Sequence, residues 1–226
     1  MPDDAGMTAD GPSGEGGGGG AGCAAAKLCD DFEGAAPGAA GSAWTFIMNG
    51  GYTIALDTTQ AHSGKNSVHA TFTAAAGYAF ISETKTFPAT DFWGRAYMRF
   101  MAPPGGHQVF AGSDTSMDEA AGDQMRYMND MGGMLTMNIR STDAVAKSTK
   151  ALPMGTWNCY EWHQTTTTAD LYMDGAMIGT AMGAGFKGLA TPYVAMVLGG
   201  ERFGGGVAGD VWIDDVAVDT AQIGCK

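Results

Sequence analysis

From about residue 44 onward, short runs alternate apolar and polar residues and are rich in Thr, Val, Phe, Tyr and Trp, with Gly, Pro and Asp between them. Period-two runs of this kind predict β-strands that show one face to a core. Twelve are expected: Trp44–Met48, Ser67–Thr73, Ala79–Phe87, Gly94–Met101, Gln108–Ala111, Gln124–Asn129, Met134–Arg140, Asn158–Thr165, Ala169–Met173, Ala176–Thr180, Pro192–Leu198 and Gly209–Val218. Asp174-Gly175, set between Leu171-Tyr172-Met173 and Ala176-Met177-Ile178, predicts a two-residue hairpin. A dozen short strands with little or no helix predict an all-β fold: an antiparallel β-sandwich, its two sheets packed face to face.

The alternation also predicts faces. Ala96, Met98 and Phe100 share one side of their strand, and Arg95, Tyr97 and Arg99 the other. Leu135, Met137 and Ile139 read as core, with Thr136, Asn138 and Arg140 pointing away from it. Gln124 and Arg126 share a face. Many of the sixteen methionines fall at core-facing positions, where a flexible thioether fills gaps.

Composition bounds the rest. Residues 1–22 include an almost unbroken Gly run and read as a disordered Gly-rich linker, leaving 23–226 as a single β domain. A spacer of that kind suits the tail of a removed signal or a lipid anchor, so a secreted or cell-surface protein is expected. Lys plus Arg is 12 against 24 Asp plus Glu, a formal net charge of −12, which argues against nucleic acid or an anionic membrane as partner. No apolar run is long enough to span a membrane. The four cysteines, Cys23, Cys29, Cys159 and Cys225, contain no CxxC pair; an even count in a β-rich chain predicts disulfides and an oxidising compartment.

Four of the five arginines, Arg95, Arg99, Arg126 and Arg140, fall on the polar side of three expected strands, and His107 precedes a fourth. If those strands are neighbours, they form a basic groove in an otherwise acidic molecule. Such a groove suits β-elimination of a uronic-acid polymer, because the proton beside the carboxylate becomes acidic once that charge is neutralised. Arg126, Gln124 and Asn138 are the expected neutralisers, with His107 or Tyr127 as the base and Tyr97 or Tyr193 as substitutes. Tyr127 sits awkwardly, since strict alternation puts it opposite Arg126. Arg95, Tyr97, Arg99, Arg140 and Tyr193 are expected to line the groove and bind the polysaccharide. Glycoside hydrolysis would need paired carboxylates; Glu83, Glu161 and Glu201 are isolated in sequence and read as serving structure or solubility. His62, His69 and His163 read as hydrogen-bonded structural residues. A non-catalytic carbohydrate-binding module of the same fold is the alternative.

In a jelly roll the first and last strands are usually neighbours. That would bring Cys29-Asp30-Asp31-Phe32-Glu33-Gly34 against Trp212-Ile213-Asp214-Asp215, with the turn His62-Ser63-Gly64-Lys65-Asn66 between them in sequence. Carboxylates, amide oxygens and exposable carbonyls together suit calcium.

Four segments, "CDDFEG", "HSGKNSVHATF", "FWGRAYMRF" and "WIDDVAV…IGC", resemble carbohydrate-active jelly rolls of the concanavalin-like group. Within that group the chain is most similar to the fungal glucuronan lyase and cellulose-induced secreted proteins and their bacterial relatives. The resemblance covers about Cys29 to Cys225. It implies a structural Ca2+ held by the carboxylate of Glu33, the backbone of Ser63, the side chain and backbone of Asn66, and Asp214. It also implies cleft positions for Arg126 and His107, and a monomer acting on a polysaccharide. Meeting chain ends favour a Cys29–Cys225 bridge, which leaves Cys23 with Cys159; four cysteines allow three connectivities, and sequence alone does not choose among them.

Overall fold

The computed structural model describes residues 26–83, 90–101, 108–114, 124–129, 133–183, 193–203 and 207–225. The Gly-rich segment 1–22, Cys23 and His107 lie outside the described residues.

The first sheet runs β13 (Ala176–Met182), β12 (Thr168–Met173), β11 (Trp157–Gln164), β6 (Phe92–Phe100), β15 (Gly209–Asp219), β4 (Ser67–Phe72) and β3 (Thr53–Asp57), and β1 (Leu28–Asp30) also pairs with β15. The second runs β10 (Ala144–Ala151), β9 (Met134–Ile139), β8 (Gln124–Asn129), β7 (Gln108–Asp114), β14 (Ala195–Arg202), β5 (Gly77–Glu83) and β2 (Trp44–Met48). All the pairings are antiparallel. No helix occurs among the described residues. The architecture is the expected antiparallel β-sandwich.

The face assignments hold. Ala96, Met98 and Phe100 from β6 meet Leu135, Met137 and Ile139 from β9 in one core, with Trp162, Tyr160, Met196 and Leu198. The hairpin at Asp174-Gly175 joins β12 to β13, both residues having positive φ (50° and 81°), as a type I′ turn requires. Three strands escaped the sequence reading: β1, β3 and β10. The first two are short. β10 is an edge strand whose Ala, Lys, Ser and Thr are mostly exposed. An edge strand that hides so little has a weak apolar alternation.

Among the described residues, β1 joins the first sheet and the tail after β15 is fastened to its outer face. β1 pairs with β15 through Cys29↔Ala217, so the first and last strands are neighbours as expected. The bridge is different from the one favoured: Cys159 joins Cys225, with Cα atoms 5.8 Å apart. Cys29 is disulfide-bonded as well, and no described cysteine is free. The reason is geometric. Cys29 lies beside Ala217, within the last strand, whereas Cys225 is six residues past its end, where the tail has crossed β6 to reach β11. Glu161, two positions along β11 from Cys159, pins the same tail. Its Oε1 accepts from the N–H groups of Ile223 (3.0 Å) and Gly224 (2.7 Å), and its Oε2 from Gln222 Nε2 (3.0 Å).

Gly94 shows how tightly the core is filled. A methyl group there would lie inside van der Waals range of the buried Trp162 indole. Gly94→Ala is expected to lower stability by about 1–3 kcal/mol, as overpacking does, measurable as a lower urea midpoint with an unchanged m-value. The double variant C159S/C225S opens a loop of sequence separation 66 and should cost about 4 kcal/mol on the chain-entropy account, read by the same titration.

Candidate functional site

The outer face of the second sheet carries the candidate site. Gln124, Arg126, Thr136 and Asn138 emerge on that face because Met125, Tyr127, Leu135, Met137 and Ile139 are taken by the core. Arg126 pairs in register with Gly112 on β7 and with Asn138 on β9. Gly112 matters because a side chain there would press on Gln124, within about 3.1 Å of its amide carbon. The bare strand at Gly112 lets Gln124 and Arg126 lie over β7 towards β14. Arg126 Nε donates to Gln124 Oε1 at 2.6 Å, and Nη2 reaches Glu201 Oε2 at 3.4 Å. The Arg126 guanidinium carbon lies 4.9 Å from the ring centroid of Phe203, which is 52% exposed. Beside this polar group is a second, small apolar cluster, Phe80, Val109 and Val197, with Ile47 and Tyr78 packed against it. The result is a guanidinium and an amide packed beside aromatic and aliphatic groups, most of them buried.

Of the expected neutralisers, the structure therefore brings Arg126, Gln124 and Asn138 onto one face. Asn138 spends its amide N–H groups on Asp143 Oδ1 (3.1 Å) and the Ala144 carbonyl (3.2 Å). Arg140 follows β9 on the same sheet, its backbone N–H donating to the Gln124 carbonyl at 3.0 Å.

Several expected groove residues lie elsewhere. Tyr127 points into the core: it is fully buried, its hydroxyl donates to Gln164 Oε1 at 3.4 Å, and its ring packs on Trp162. Burial holds its phenol well above the usual range, so it is neither placed nor poised to act as a base. Tyr193 is also in the core, edge-on to Phe92. Arg95, Tyr97 and Arg99 are on β6, in the first sheet, and face outward on the opposite side of the sandwich from Arg126. Arg95 donates to the carbonyls of Gly224 and Asp215, both at 3.2 Å. Tyr97 stacks on His62, with centroids 3.6 Å apart. Arg99 donates to Gln60 and to the Gly155 carbonyl. The four arginines thus divide between two surfaces that face apart. Glu201, an isolated acid in sequence, is the partner that sequence reasoning missed. The available sign was its place at the end of an apolar run, AMVLGGER.

The acidic segments meet at the turn 62–66. Phe32 adopts φ 57°, and the Asp30 carboxylate accepts from its N–H at 2.8 Å, which turns the chain so that Glu33 reaches residues 65 and 66. Glu33 Oε1 accepts from the N–H groups of Lys65 and Asn66, both at 2.6 Å, and Oε2 from Asn66 Nδ2 at 3.2 Å. On β15 a bulge between Asp214 and Ala217, with Asp215 at φ 47°, aims both acids at the same turn. Asp214 Oδ2 accepts from His62 and Ser63 N–H (2.8 and 3.1 Å), and Asp215 accepts from the Ser63 hydroxyl at 2.8 Å. Burial, with Asp215 adding to it, pushes the Asp214 carboxyl up to about 7 against the pull of the Ser63 N–H. Among the described residues no three His, Cys, Asp or Glu converge as a metal cluster. The carboxylates of Glu33 and Asp214 are hard oxygen donors of the kind calcium takes, but in this structure the turn meets them with N–H groups, so a cation here would require carbonyl or amide oxygens to turn towards it.

The comparisons agree with this architecture. The solved structure of a cellulose-induced protein, Cip1, is 26% identical with a TM-score of 0.71, over 88% of this chain and all of that one. An endo-β-1,4-glucuronan lyase from the fungus Trichoderma reesei shares the fold at 14% identity and TM-score 0.64, over 87% of this chain and 96% of that one. An alginate lyase shares it at 8% identity and TM-score 0.51, over 68% and 74%. Comparison with curated proteins returns no match. Residues 31–221 match the family described as Cip1-like, core domain, among polysaccharide lyase-like proteins, and the chain belongs to that family.

Proposed function

We propose that the protein is secreted and cleaves a uronic-acid-containing polysaccharide by β-elimination, with Arg126 at the substrate carboxylate. The observation that carries this reading is the Gln124–Arg126 pair laid beside Gly112 on the outer face of the second sheet. A guanidinium with 7% of its side chain exposed sits in a poorly solvated setting, where it binds a carboxylate more strongly than it would in water. Neutralising that carboxylate acidifies the proton on the adjacent carbon. A base removes the proton, the electron pair forms the carbon–carbon double bond, and the bond to the glycosidic oxygen breaks as that oxygen takes up a proton. With Tyr127 and Tyr193 in the core, this reading assigns the base to His107. The glucuronan and alginate lyases of the same fold support the reaction class. The Cys159–Cys225 bridge supports an oxidising, extracellular setting.

A second reading, non-catalytic glycan binding, is favoured by one observation: the Arg126 charge already has Glu201 beside it. One experiment separates the two. Incubation with glucuronan, alginate and pectate should generate the ultraviolet absorbance of an unsaturated uronate product. Arg126→Ala should lose on the order of 100-fold in rate, as for loss of a preorganised charge-stabilising donor; Tyr127→Phe should stay within a few-fold of the parent. No product from any uronan, together with retention on insoluble glucan, would establish the binding reading instead.

The same reading assigns a structural calcium ion to the turn 62–66, held by Glu33, Asp214, the backbone of Ser63 and Asn66. Its role would be cohesion between the chain's opening and closing segments. Chelation should lower the unfolding temperature, by an amount that reflects on the order of several kcal/mol at saturation. Glu33→Gln should remove most of the difference between chelated and calcium-loaded samples. An unchanged transition after verified metal removal would exclude the site.

A further inference from the structure

We infer that the tail after β15 is a disulfide-operated latch on the turn 62–66. With the Cys159–Cys225 bond intact, the tail keeps Arg95 on Asp215. With that bond reduced, Arg95 passes to Glu161 and the turn loosens. The inference is independent of the second sheet and of any cation at the turn.

Two buried ions of opposite charge lie under one short segment. Glu161 is fully buried and Arg95 is 3% exposed. They stand opposite each other in register on β11 and β6, yet each bonds to the tail. Glu161 accepts from the N–H groups of Ile223 and Gly224 and from the Gln222 amide. Arg95 Nη1 donates to the Gly224 carbonyl and Nη2 to the Asp215 carbonyl, both at 3.2 Å. Its Nε is buried with no hydrogen-bond partner among the described residues. Opposite charges facing each other across neighbouring strands attract. Two desolvated ions held by a peptide segment therefore have a second arrangement, in which they satisfy each other.

Covalent closure decides between the two arrangements. Cys225 follows Gly224 directly, and its bond to Cys159 holds the Gly224 carbonyl at the guanidinium. Cys225 is half-buried whereas Cys159 is 1% exposed, so an external dithiol meets Cys225 first. Its thiolate attacks the Cys225 sulfur and the Cys159 thiolate leaves. The dithiol's second thiol then closes on the first, which frees Cys225. Two electrons and two protons pass to the protein, and the dithiol becomes a disulfide. The turn feels this through Arg95. Asp215 has φ 47°, a conformation that persists where its surroundings hold it, and the bond from Arg95 to its carbonyl is one such hold. The Asp215 carboxylate in turn meets the Ser63 hydroxyl at 2.8 Å and His62 Nδ1 at 2.6 Å. Tyr97 makes a second route: the Arg95 guanidinium carbon is 5.8 Å from its ring centroid, and the ring stacks on His62 at 3.6 Å. Releasing Arg95 removes support from Asp215 and Tyr97 together.

The test is NMR of the full chain, in chelator, on wild type, C159S/C225S, Arg95→Met and the two changes combined. Amide exchange at Ile223 and Gly224 reports the tail. The His62 ring protons, shielded by the Tyr97 stack, report the turn, and His69, stacked on Trp212, is the control. In C159S/C225S the tail amides are expected to exchange on the order of tenfold faster, as for loss of about one hydrogen bond. The His62 signals should move downfield while those of His69 stay in place. Arg95→Met should move His62 the same way with the disulfide intact, and adding it to C159S/C225S should move His62 little further, as for two changes on one route. If C159S/C225S does not fold, dithiothreitol added to folded wild type gives the same readings. A freed tail with His62 unmoved overturns the latch, and so does a tail that stays protected without its disulfide.

Discussion

Alternation along a strand, inside a sandwich with one dry interior, is the constraint from which the rest of this molecule follows. Each strand gives one set of side chains to the core and the other to an outer face, and the two outer faces point away from each other. Charges can therefore pool only when their strands belong to the same sheet. Arg95 and Arg99 emerge from β6 in the first sheet and Arg126 from β8 in the second. No side chain is long enough to cross the core between them. A positive surface that looks continuous along the sequence is thereby divided into a structural half and a candidate functional half.

The first sheet shows what the structural half is for. Its outer polar groups are engaged with one another. His69 lies between Asp57 (3.2 Å) and Asp210 (2.9 Å) and stacks on Trp212 with centroids 4.1 Å apart. His163 meets Asp91 at 2.9 Å and stacks on Trp93 at 4.3 Å. His62 bridges Tyr97 and Asp215. Through these stacks, the Glu161 clamp and the Cys159–Cys225 bond, the face fastens both chain ends and the acidic turn. A ligand landing here would have to displace bonds the protein already makes, in place of groups waiting for a partner.

The sequence was most readable where burial is one-sided. The faces of β6, β8 and β9 and the Asp174-Gly175 turn follow from period two and turn chemistry. The convergence of Glu33, residues 62–66 and Asp214 follows from the pairing of first and last strands that a jelly roll requires. Three things were beyond it. Strand order across a sheet depends on contacts between residues distant in sequence, so nothing near Arg95 or Arg126 announced that they part company. Tyr193 fell inside the expected strand Pro192–Leu198, whereas β14 begins only at Ala195, so the alternation read for Tyr193 does not apply to it. The Cys159–Cys225 bridge depends on how far the tail travels after β15, and a six-residue tail without periodicity carries no sign of its path.

What distinguishes the second sheet is that a guanidinium and an amide lie buried beside apolar side chains. Gly112 leaves room for the Gln124 side chain that holds Arg126, and the small cluster of Phe80, Val109 and Val197 makes the neighbouring packing apolar. A charge held beside apolar groups costs more to keep than the same charge in water, and the protein offsets that cost with Gln124, Glu201 and the face of Phe203. If Arg126 served stability alone, a well-packed apolar residue there would serve as well or better, because buried ion pairs contribute little net stability. A desolvated guanidinium beside a carboxylate, next to a bare strand, is a costly way to hold a sheet together. It is an economical way to keep a binding group oriented until an outside anion arrives.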